Sequence, residues 1–156
     1  MKITRIEKEN FNKHSIAASF KSYYQELKTL NTPLPLIENG ELLWAEQVEK
    51  SIGKTSALVI ASNQDKMIGF GHAQLKLSPD YHGSQRIGFI AHFYVEKDSR
   101  LAGTGRKIYE ELHKWFLEKN IQSIELQVIN ANEAAMKFWQ KIGFKDELRQ
   151  LRYSSE

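Results

Sequence analysis

A short stretch with two glycines, RLAGTG (Arg100–Gly105), combines several features of an anion-binding loop. It follows a strand-like apolar run and precedes a helical pattern, so its backbone N–H groups converge at a helix N-terminus. Such a terminus binds anions through unpaired donors and the positive end of the helix dipole. Gly103 and Gly105 let a bulky diphosphate approach the main chain, and Arg106 and Lys107 add positive charge. By itself the stretch fits either a phosphate-binding loop or a simple turn.

Other nucleotide-binding and metal-binding motifs are incomplete in this sequence. A dinucleotide fingerprint would need a third glycine where the chain has Ile108. The GKT at Gly53–Thr55 lacks the leading glycine of a P-loop, because Val48 stands there. The histidines other than His92 show no metal-ligand spacing and the chain has no cysteine, so we expect no metal.

Hydrophobic periodicity predicts the elements that position this loop. Apolar residues at helical spacing predict a helix around residues 10–30 and a second helix over residues 41–52. Runs rich in Val, Ile and Phe predict strands over residues 56–62, 66–77 and 85–95. The short turns between these strands favour antiparallel pairing.

After the RLAGTG loop the apolar pattern returns to helical spacing. Ile108, Leu112, Trp115 and Phe116 form one apolar face of a long helix. A further strand, a short helix closed by Gly143 and a last strand containing Leu148 and Leu151 are predicted at residues 123–129, 132–143 and 147–153.

The predicted order of elements is α-α-β-β-β-α-β-α-β, with room for a short strand at the N-terminus. This order indicates an α/β (α+β) fold with a mixed, mostly antiparallel sheet flanked by helices. The chain of 156 residues has the length of one domain, which we place at residues 1–156.

The composition is that of an ordinary soluble protein, with 41% hydrophobic and 26% charged residues. The net charge of +3 is spread over the chain without a basic block, which argues against a nucleic-acid partner. No apolar run approaches the roughly 18 residues of a membrane helix, so we expect no membrane partner. We expect a cytoplasmic protein.

Two segments together resemble a known family. VEKDSRLAGTG begins at Val95, and NEAAMKFWQKIGF begins at Asn132. Together they resemble the acyl-CoA-binding core of the GNAT superfamily of N-acetyltransferases, in which a valine precedes R/Q-x-x-G-x-G/A. The second motif of that family, N-x-x-A-x-x-x-Y-x-x-x-G-F, is matched here at Asn132, Ala135, Gly143 and Phe144. The order of elements also matches the family over most of the chain.

The resemblance implies an acetyl-CoA site between the strand at residues 85–95 and the strand at residues 123–129, which the family splays apart beside a bulge. It implies that a backbone N–H near Tyr94 polarises the thioester carbonyl. Asn132 would bind the pantetheine arm or cap a helix, and the two roles are compatible. The cofactor-binding residues that it implies are Phe93, Tyr94, Val95, Arg100, Leu101, Ala102, Gly103, Thr104, Gly105, Arg106, Asn132 and Trp139.

The sequence departs from the family at both residues that usually exchange protons. Gln127 stands where many relatives have a glutamate base, and Trp139 replaces the tyrosine proposed to protonate the thiolate. An indole N–H donates a hydrogen bond but cannot act as an acid near neutral pH, so Trp139 could equally be a core anchor. His92 is the candidate base and Tyr94 the candidate acid. A packing role for His92 and a water relay to Glu96 or Glu125 remain open.

The predicted function is transfer of an acetyl group from acetyl-CoA to a primary amine by direct attack in a ternary complex. The alternative is a non-catalytic acyl-CoA sensor or structural module, which would need the same loop. The acceptor would be a small-molecule or peptide amine, and a homodimer is compatible with the sequence. The residues that could attract a cationic amine are Tyr24, Glu38, Glu41, Asp80 and Tyr81.

Overall fold

The structure, a computed structural model, describes residues 1–155 and contains one mixed sheet. Its order is β1-β2-β3-β4-β5, in which the first four strands pair antiparallel and β5 pairs parallel to β4. The α/β fold with a mostly antiparallel sheet is thereby confirmed. The strands are β1 (Lys2–Arg5), β2 (Ser56–Asn63), β3 (Lys66–Leu77), β4 (Arg86–Val95) and β5 (Ile124–Leu126).

Four helices cover the two faces of this sheet. Helices α1 (Lys13–Thr29) and α2 (Gly40–Ser51) pack on one face, called here the α1/α2 face. Helices α3 (Thr104–Glu118) and α4 (Glu133–Ile142) pack on the opposite α3/α4 face. None of the helices within residues 1–155 is long and apolar enough to cross a membrane.

The alternating side chains of the central strands divide the core between these faces. Val59 and Ala61 of β2 pack with α3, whereas Leu58 and Ile60 between them pack with α1 and α2. Because successive side chains of a strand point to opposite faces, the apolar residues at odd and at even positions of β2 bury both of its faces. The sheet is therefore the middle layer of the fold, and a site at the edge of this layer can include residues from both faces.

Helix α3 lies unusually close to the sheet. A Cβ atom on Gly88 of β4 would lie 2.6 Å from the ring of Phe116. Any side chain at Gly88 would push α3 outwards, because buried atoms at that distance must shift. This close approach fixes the helix whose first turn carries the RLAGTG loop.

The predicted last strand is wrong. No strand follows α4 within the described part of the chain, and residues 145–155 are exposed and have no regular secondary structure. A β-strand needs a neighbouring strand to satisfy its backbone groups, and this segment has none in the structure. The spacing of Leu148 and Leu151 therefore predicted a strand that has no partner strand in the described structure.

Candidate active site

The sheet opens between β4 and β5. The two strands pair only from Gly88 to Ile90 of β4 and from Ile124 to Leu126 of β5. Residues 91–95 of β4 therefore have no strand on their β5 side among the described residues. Their N–H and C=O groups can pair with an extended ligand as a sheet edge pairs with an added strand.

A β-bulge begins at the same position. His72 of β3 lies opposite His92 of β4, but the next pair is Ala73 with Ile90, so Ala91 is the extra residue. Such a bulge re-aims the side chains that follow it. His92 and Tyr94 consequently lie on the α1/α2 face, while Phe93 lies on the α3/α4 face.

The N-terminus of α3 offers unpaired backbone donors beside the opening. Its N-cap residue Gly103 has a φ of +80° and no side-chain cap. Helices α1 and α4, in contrast, are capped by Asn12 and Asn132, whose side chains accept backbone N–H bonds. The first N–H groups of α3 have no intrahelical acceptor, so they remain available to an anion.

The space in front of this helix end is open. A Cβ atom on Gly103 would meet no atom within 4 Å, Leu101 is fully exposed and Ala102 is an exposed loop residue. Thr104 is 1% exposed and its hydroxyl donates to the sulfur of Met1, so its side chain points into the protein. The loop can therefore present its main chain, rather than the Thr104 hydroxyl, to a phosphate.

Arg100 is held by the protein itself. Its Nε donates to the carbonyl of Val95 at 2.7 Å, and its Nη2 donates to both carboxylate oxygens of Glu26 at 2.8 and 2.7 Å. This contact links the end of α1 to the loop before α3. The sequence placed Arg100 at the phosphates, but its charge is already paired with a carboxylate in the structure.

A cleft of about 300 Å³ lies beside this ion pair. It is bounded by the end of α1, the loop before α3 and the N-terminus of α4. Its lining residues are Glu26, Thr29, Leu30, Lys97, Arg100, Ala131, Asn132, Glu133 and Ala134. The sequence analysis did not single out Lys97, a cation in this lining.

Asn132 and Trp139 both have structural roles on α4. The side chain of Asn132 accepts the N–H of Ala135 at 3.1 Å, so the capping role is observed. Trp139 is 6% exposed and packs against Phe93 and Phe144. It serves as the core anchor that the sequence left as its second interpretation.

His92, which is half-buried, pairs with the fully buried His72, a residue to which the sequence assigned no role. The Nδ1 atoms of His72 and His92 are 3.2 Å apart, and the two rings are stacked at an angle of 9°. Burial lowers the pKa of His92 to about 4, and burial together with the neighbouring His92 lowers the pKa of His72. Both rings are thus neutral at pH 7, so one Nδ1 donates a hydrogen bond and the other accepts it.

Aromatic rings surround this pair on the α1/α2 face. Phe20 and Trp44 contact His92, with ring centroids at 5.0 and 5.5 Å. Tyr23 lies between His92 and Tyr94, at 6.1 and 5.9 Å. Burial, followed by the charges of Glu26 and Glu96, raises the pKa of Tyr94. Its hydroxyl therefore keeps its proton at neutral pH.

The residues expected to attract an amine are not gathered in one place. Asp80 and Tyr81 lie in the turn before β4, at the opposite end of that strand from α3. Glu41 is on α2, 3.9 Å from the ammonium of Lys21, and Glu38 is an exposed loop residue. The C-terminal strand predicted at residues 147–153 is also missing from the described structure.

Comparison with known proteins decides the family. The sequence model of the acetyltransferase (GNAT) family matches residues 19–144, which span α1 to the end of the second motif. The chain belongs to the GNAT family of acetyltransferases. It is an acyl-CoA-dependent N-acyltransferase, which confirms the enzyme interpretation, and GNAT acetyltransferases use acetyl-CoA.

Individual GNAT proteins resemble this one to different extents. L-2,4-diaminobutyric acid acetyltransferase from Halalkalibacterium halodurans is 26% identical over 133 residues, covering 74% of this chain and 67% of that protein. A tetramutant of the BH1408 protein from Bacillus halodurans superposes with a TM-score of 0.79 at 18% identity, over 99% of this chain and 100% of that one. The aminoglycoside N-acetyltransferase AAC(6')-Iy in complex with CoA gives 0.78 at 17% identity, over 99% and 93% of the two chains. The two structures show the same fold as this GNAT protein.

Proposed function

We propose that this GNAT protein transfers the acetyl group of acetyl-CoA to a primary amine of a small molecule, by direct attack in a ternary complex. The observation that carries the proposal is the opening between β4 and β5 beside the uncapped N-terminus of α3. Backbone donors for a phosphate and a free strand edge for an extended chain lie on the same side of the sheet. Acetyl-CoA has a diphosphate and an extended pantetheine arm, and it supplies the activated acetyl group as a thioester.

Three features of the opening support this ligand. The main chain at Phe93, Tyr94 and Val95 is the free edge that would pair with the pantetheine arm. Residues 101–106 would bind the diphosphate through backbone N–H groups, because Gly103 leaves open space in front of the helix end. Lys97 of the adjacent cleft would supply positive charge near the diphosphate, because the charge of Arg100 is already paired with Glu26.

The acceptor nitrogen must lose a proton before it can attack, because a typical alkylamine has a pKa near 10. The minor neutral form of the amine would attack, and we assign His92 as the group that accepts the second proton, which the nitrogen loses as the C–N bond forms. Its imidazole is neutral at pH 7 and lies on β4 beside the bulge, where the free strand edge begins. A pKa of about 4 makes this imidazole a weak base, so it would accept a proton only from the cationic nitrogen of the tetrahedral adduct and would then pass it on to solvent.

The tautomer of the His72–His92 pair determines which ring nitrogen of His92 carries no proton. His72 is 2% exposed and its Nε2 has no hydrogen-bond partner in the described structure. If His92 donates its Nδ1 proton to His72, its own Nε2 keeps a lone pair for the amine. Tyr94, two residues further along β4, keeps its hydroxyl proton and would donate to the departing thiolate.

The acceptor that we propose carries more than one amino group. The curated relative is named for 2,4-diaminobutyric acid and two structural neighbours for aminoglycosides, which are all amines of this kind. On this chain, Tyr23, Tyr24 and Tyr94 are half-buried on the α1/α2 face near His92. Tyrosine rings and hydroxyls bind cationic amines through cation–π contacts and hydrogen bonds.

The test joins a binding measurement to an amine panel. Acetyl-CoA at about a hundredfold excess over its Kd should stabilise the folded state by about 2.7 kcal/mol and raise the melting temperature by several degrees. Free thiol is then measured with 2,4-diaminobutyrate, an aminoglycoside, lysine and a short peptide. Faster thiol release with the diamine or aminoglycoside supports the proposed acceptor. Release with the peptide alone would overturn the acceptor class, and absence of a thermal shift would overturn the cofactor site.

A further inference from the structure

A row of side chains continues from His92 across the same α1/α2 face of the sheet. The register pairs His92 with His72 of β3, Phe89 with Gln74, and Glu125 of β5 with Phe89. Paired residues share a face of the sheet, and so do residues two positions apart on one strand. Because the two partners on β3 are two positions apart, His92, Phe89 and Glu125 lie in one row on this face.

This part of the face is open in the described structure. Helices α1 and α2 pack on β3 through Met67 and Phe70, whereas Gln74 and Lys76, further along the same strand, are exposed. Phe89 is half-buried and provides an aromatic floor between the flanking strands. An apolar floor with a few polar groups at its rim is typical of small-molecule sites.

Two charged side chains meet across this floor. The Nζ atom of Lys76 lies 2.8 Å from Oε1 of Glu125 and 4.8 Å from the centroid of the Phe89 ring. Since β4 lies between β3 and β5, the ion pair crosses the middle strand above its aromatic side chain. The two side chains are 45% and 40% exposed, so a ligand can reach both charges. Such an exposed pair contributes little to the stability of the fold, and its partners can be exchanged at low cost.

The ion pair favours one class of amine over another. A zwitterionic amino acid can replace it without leaving a charge unpaired, because its carboxylate pairs with Lys76 and its ammonium pairs with Glu125. A polyamine offers only positive charges, so it would leave the Lys76 ammonium without a partner and be repelled by it. The open part of the face therefore discriminates by the presence of a carboxylate.

The distance to His92 suits a short diamino acid. Glu125 lies one strand spacing and two strand positions from His92, so their Cα atoms are roughly 8 Å apart. The carboxylate carbon and the side-chain nitrogen of 2,4-diaminobutyrate, four bonds apart, are roughly 5 Å from each other in an extended chain. One hydrogen bond of about 2.9 Å makes up the remainder.

We propose that Lys76 and Glu125 bind the α-carboxylate and the α-ammonium of a short diamino acid and direct its side-chain amine to His92. The inference rests on the proposed acetyl transfer and narrows the acceptor from amines in general to zwitterions. The new C–N bond forms at the side-chain nitrogen, the thioester C–S bond breaks, and CoA leaves as the thiol. The nitrogen proton passes to His92, as proposed above.

Two acceptors that differ only in the carboxylate test the selectivity. 2,4-Diaminobutyrate and 1,3-diaminopropane have the same two amino groups, and kcat/KM should be at least about tenfold higher for the amino acid. Lys76→Met should lower this ratio at least about fivefold, chiefly through the KM of the amino acid. Lys114→Met is the matched control, because it removes one charge from an ion pair on α3, on the opposite face. Equal kcat/KM values in the wild type, or a ratio that Lys76→Met leaves unchanged, would overturn the proposal.

A binding measurement separates this proposal from the proposed function. 2,4-Diaminobutyrate is titrated calorimetrically into the protein in the presence of CoA, which cannot transfer an acetyl group. Lys76→Met should raise the Kd at least about tenfold, and Lys114→Met should leave it unchanged. If no amine releases thiol from acetyl-CoA, the proposed function fails, and this titration still decides the binding site. No binding to the wild type, or the same Kd in Lys76→Met, would overturn the site. Far-UV circular dichroism checks that each variant is folded.

Discussion

The two faces of the sheet contribute different kinds of chemical groups to the same opening. The α3/α4 face contributes backbone: the uncapped end of α3, an open loop at Gly103 and the free edge of residues 91–95. The α1/α2 face contributes side chains, above all the pair of His72 and His92 within a set of aromatic rings. A site built from backbone requires glycines at fixed spacing, whereas a site built from side chains can be assembled from many residue types. The first kind is recognisable in a sequence and the second is not.

The largest effect should come from a charge in the backbone site. Gly103→Glu places a carboxylate among the donors expected to bind the diphosphate, so the Kd of CoA should rise at least about 100-fold, or about 2.7 kcal/mol. Gly103→Asn is the control, because asparagine tolerates a positive φ and is uncharged. Calorimetric titration with CoA measures both. Unchanged affinity of the glutamate variant would remove the loop from the cofactor site.

The second-largest effect should be a loss of protein stability at acid pH, which the histidine pair causes. The unfolded His92 takes up a proton near pH 6.5, while the folded one resists protonation until about pH 4. The unfolded state then binds more protons, so stability is complete above pH 6.5 and falls as the pH drops towards 4. From pH 6.5 to 4.5 the free energy of unfolding should fall by about 2 kcal/mol through this group.

Urea unfolding at a series of pH values measures this slope. His92→Phe should reduce it, because one of the two histidines with a lowered pKa is gone. His113→Phe should leave it unchanged, since His113 lies on α3 beside Tyr109 and away from the pair. Equal slopes for the wild type and the His92 variant would contradict the buried neutral pair.

Measurement of kcat should test whether His92 is the catalytic base. His92→Gln should lower kcat at least about tenfold and remove the loss of kcat near pH 4 that protonation of His92 causes, while the KM for acetyl-CoA changes little. His82→Gln, in the exposed turn before β4, is the matched control. A normal kcat and pH profile in the His92 variant would return this residue to a packing role and favour the water relay.

The smallest effect is expected for the ion pair between Arg100 and Glu26, which joins α1 to the loop before α3. Glu26→Gln weakens the pairing of Arg100 with α1 and should cost about 1 kcal/mol, or about 2–4 °C in melting temperature. Glu118→Gln serves as the comparison, because its ion pair with Arg5 is more exposed and should contribute less. Equal shifts for both variants would show that the Arg100 contact is an ordinary surface ion pair.

Local sequence was sufficient where the structure depends on neighbouring residues. The RLAGTG loop, the start of α3 beside it and the cap at Asn132 follow from residue types within one turn of helix. Runs rich in Val, Ile and Phe likewise predicted the strands of the central sheet, because such residues suit a strand that is buried on both faces. The length of β5 was overestimated, since the sheet opens after Leu126.

The sequence by itself thus determined the family, the glycine loop before α3 and the arrangement of helices on a mixed sheet, because local backbone geometry and motif spacing carry that information. Only the tertiary structure decided three further features. One extra residue, Ala91, shifts the register so that His92 faces His72. Arg100 turns to Glu26, 74 positions away, and the tail is left without a strand to pair with. Contacts between distant residues depend on register and packing over the whole sheet, which no local pattern records.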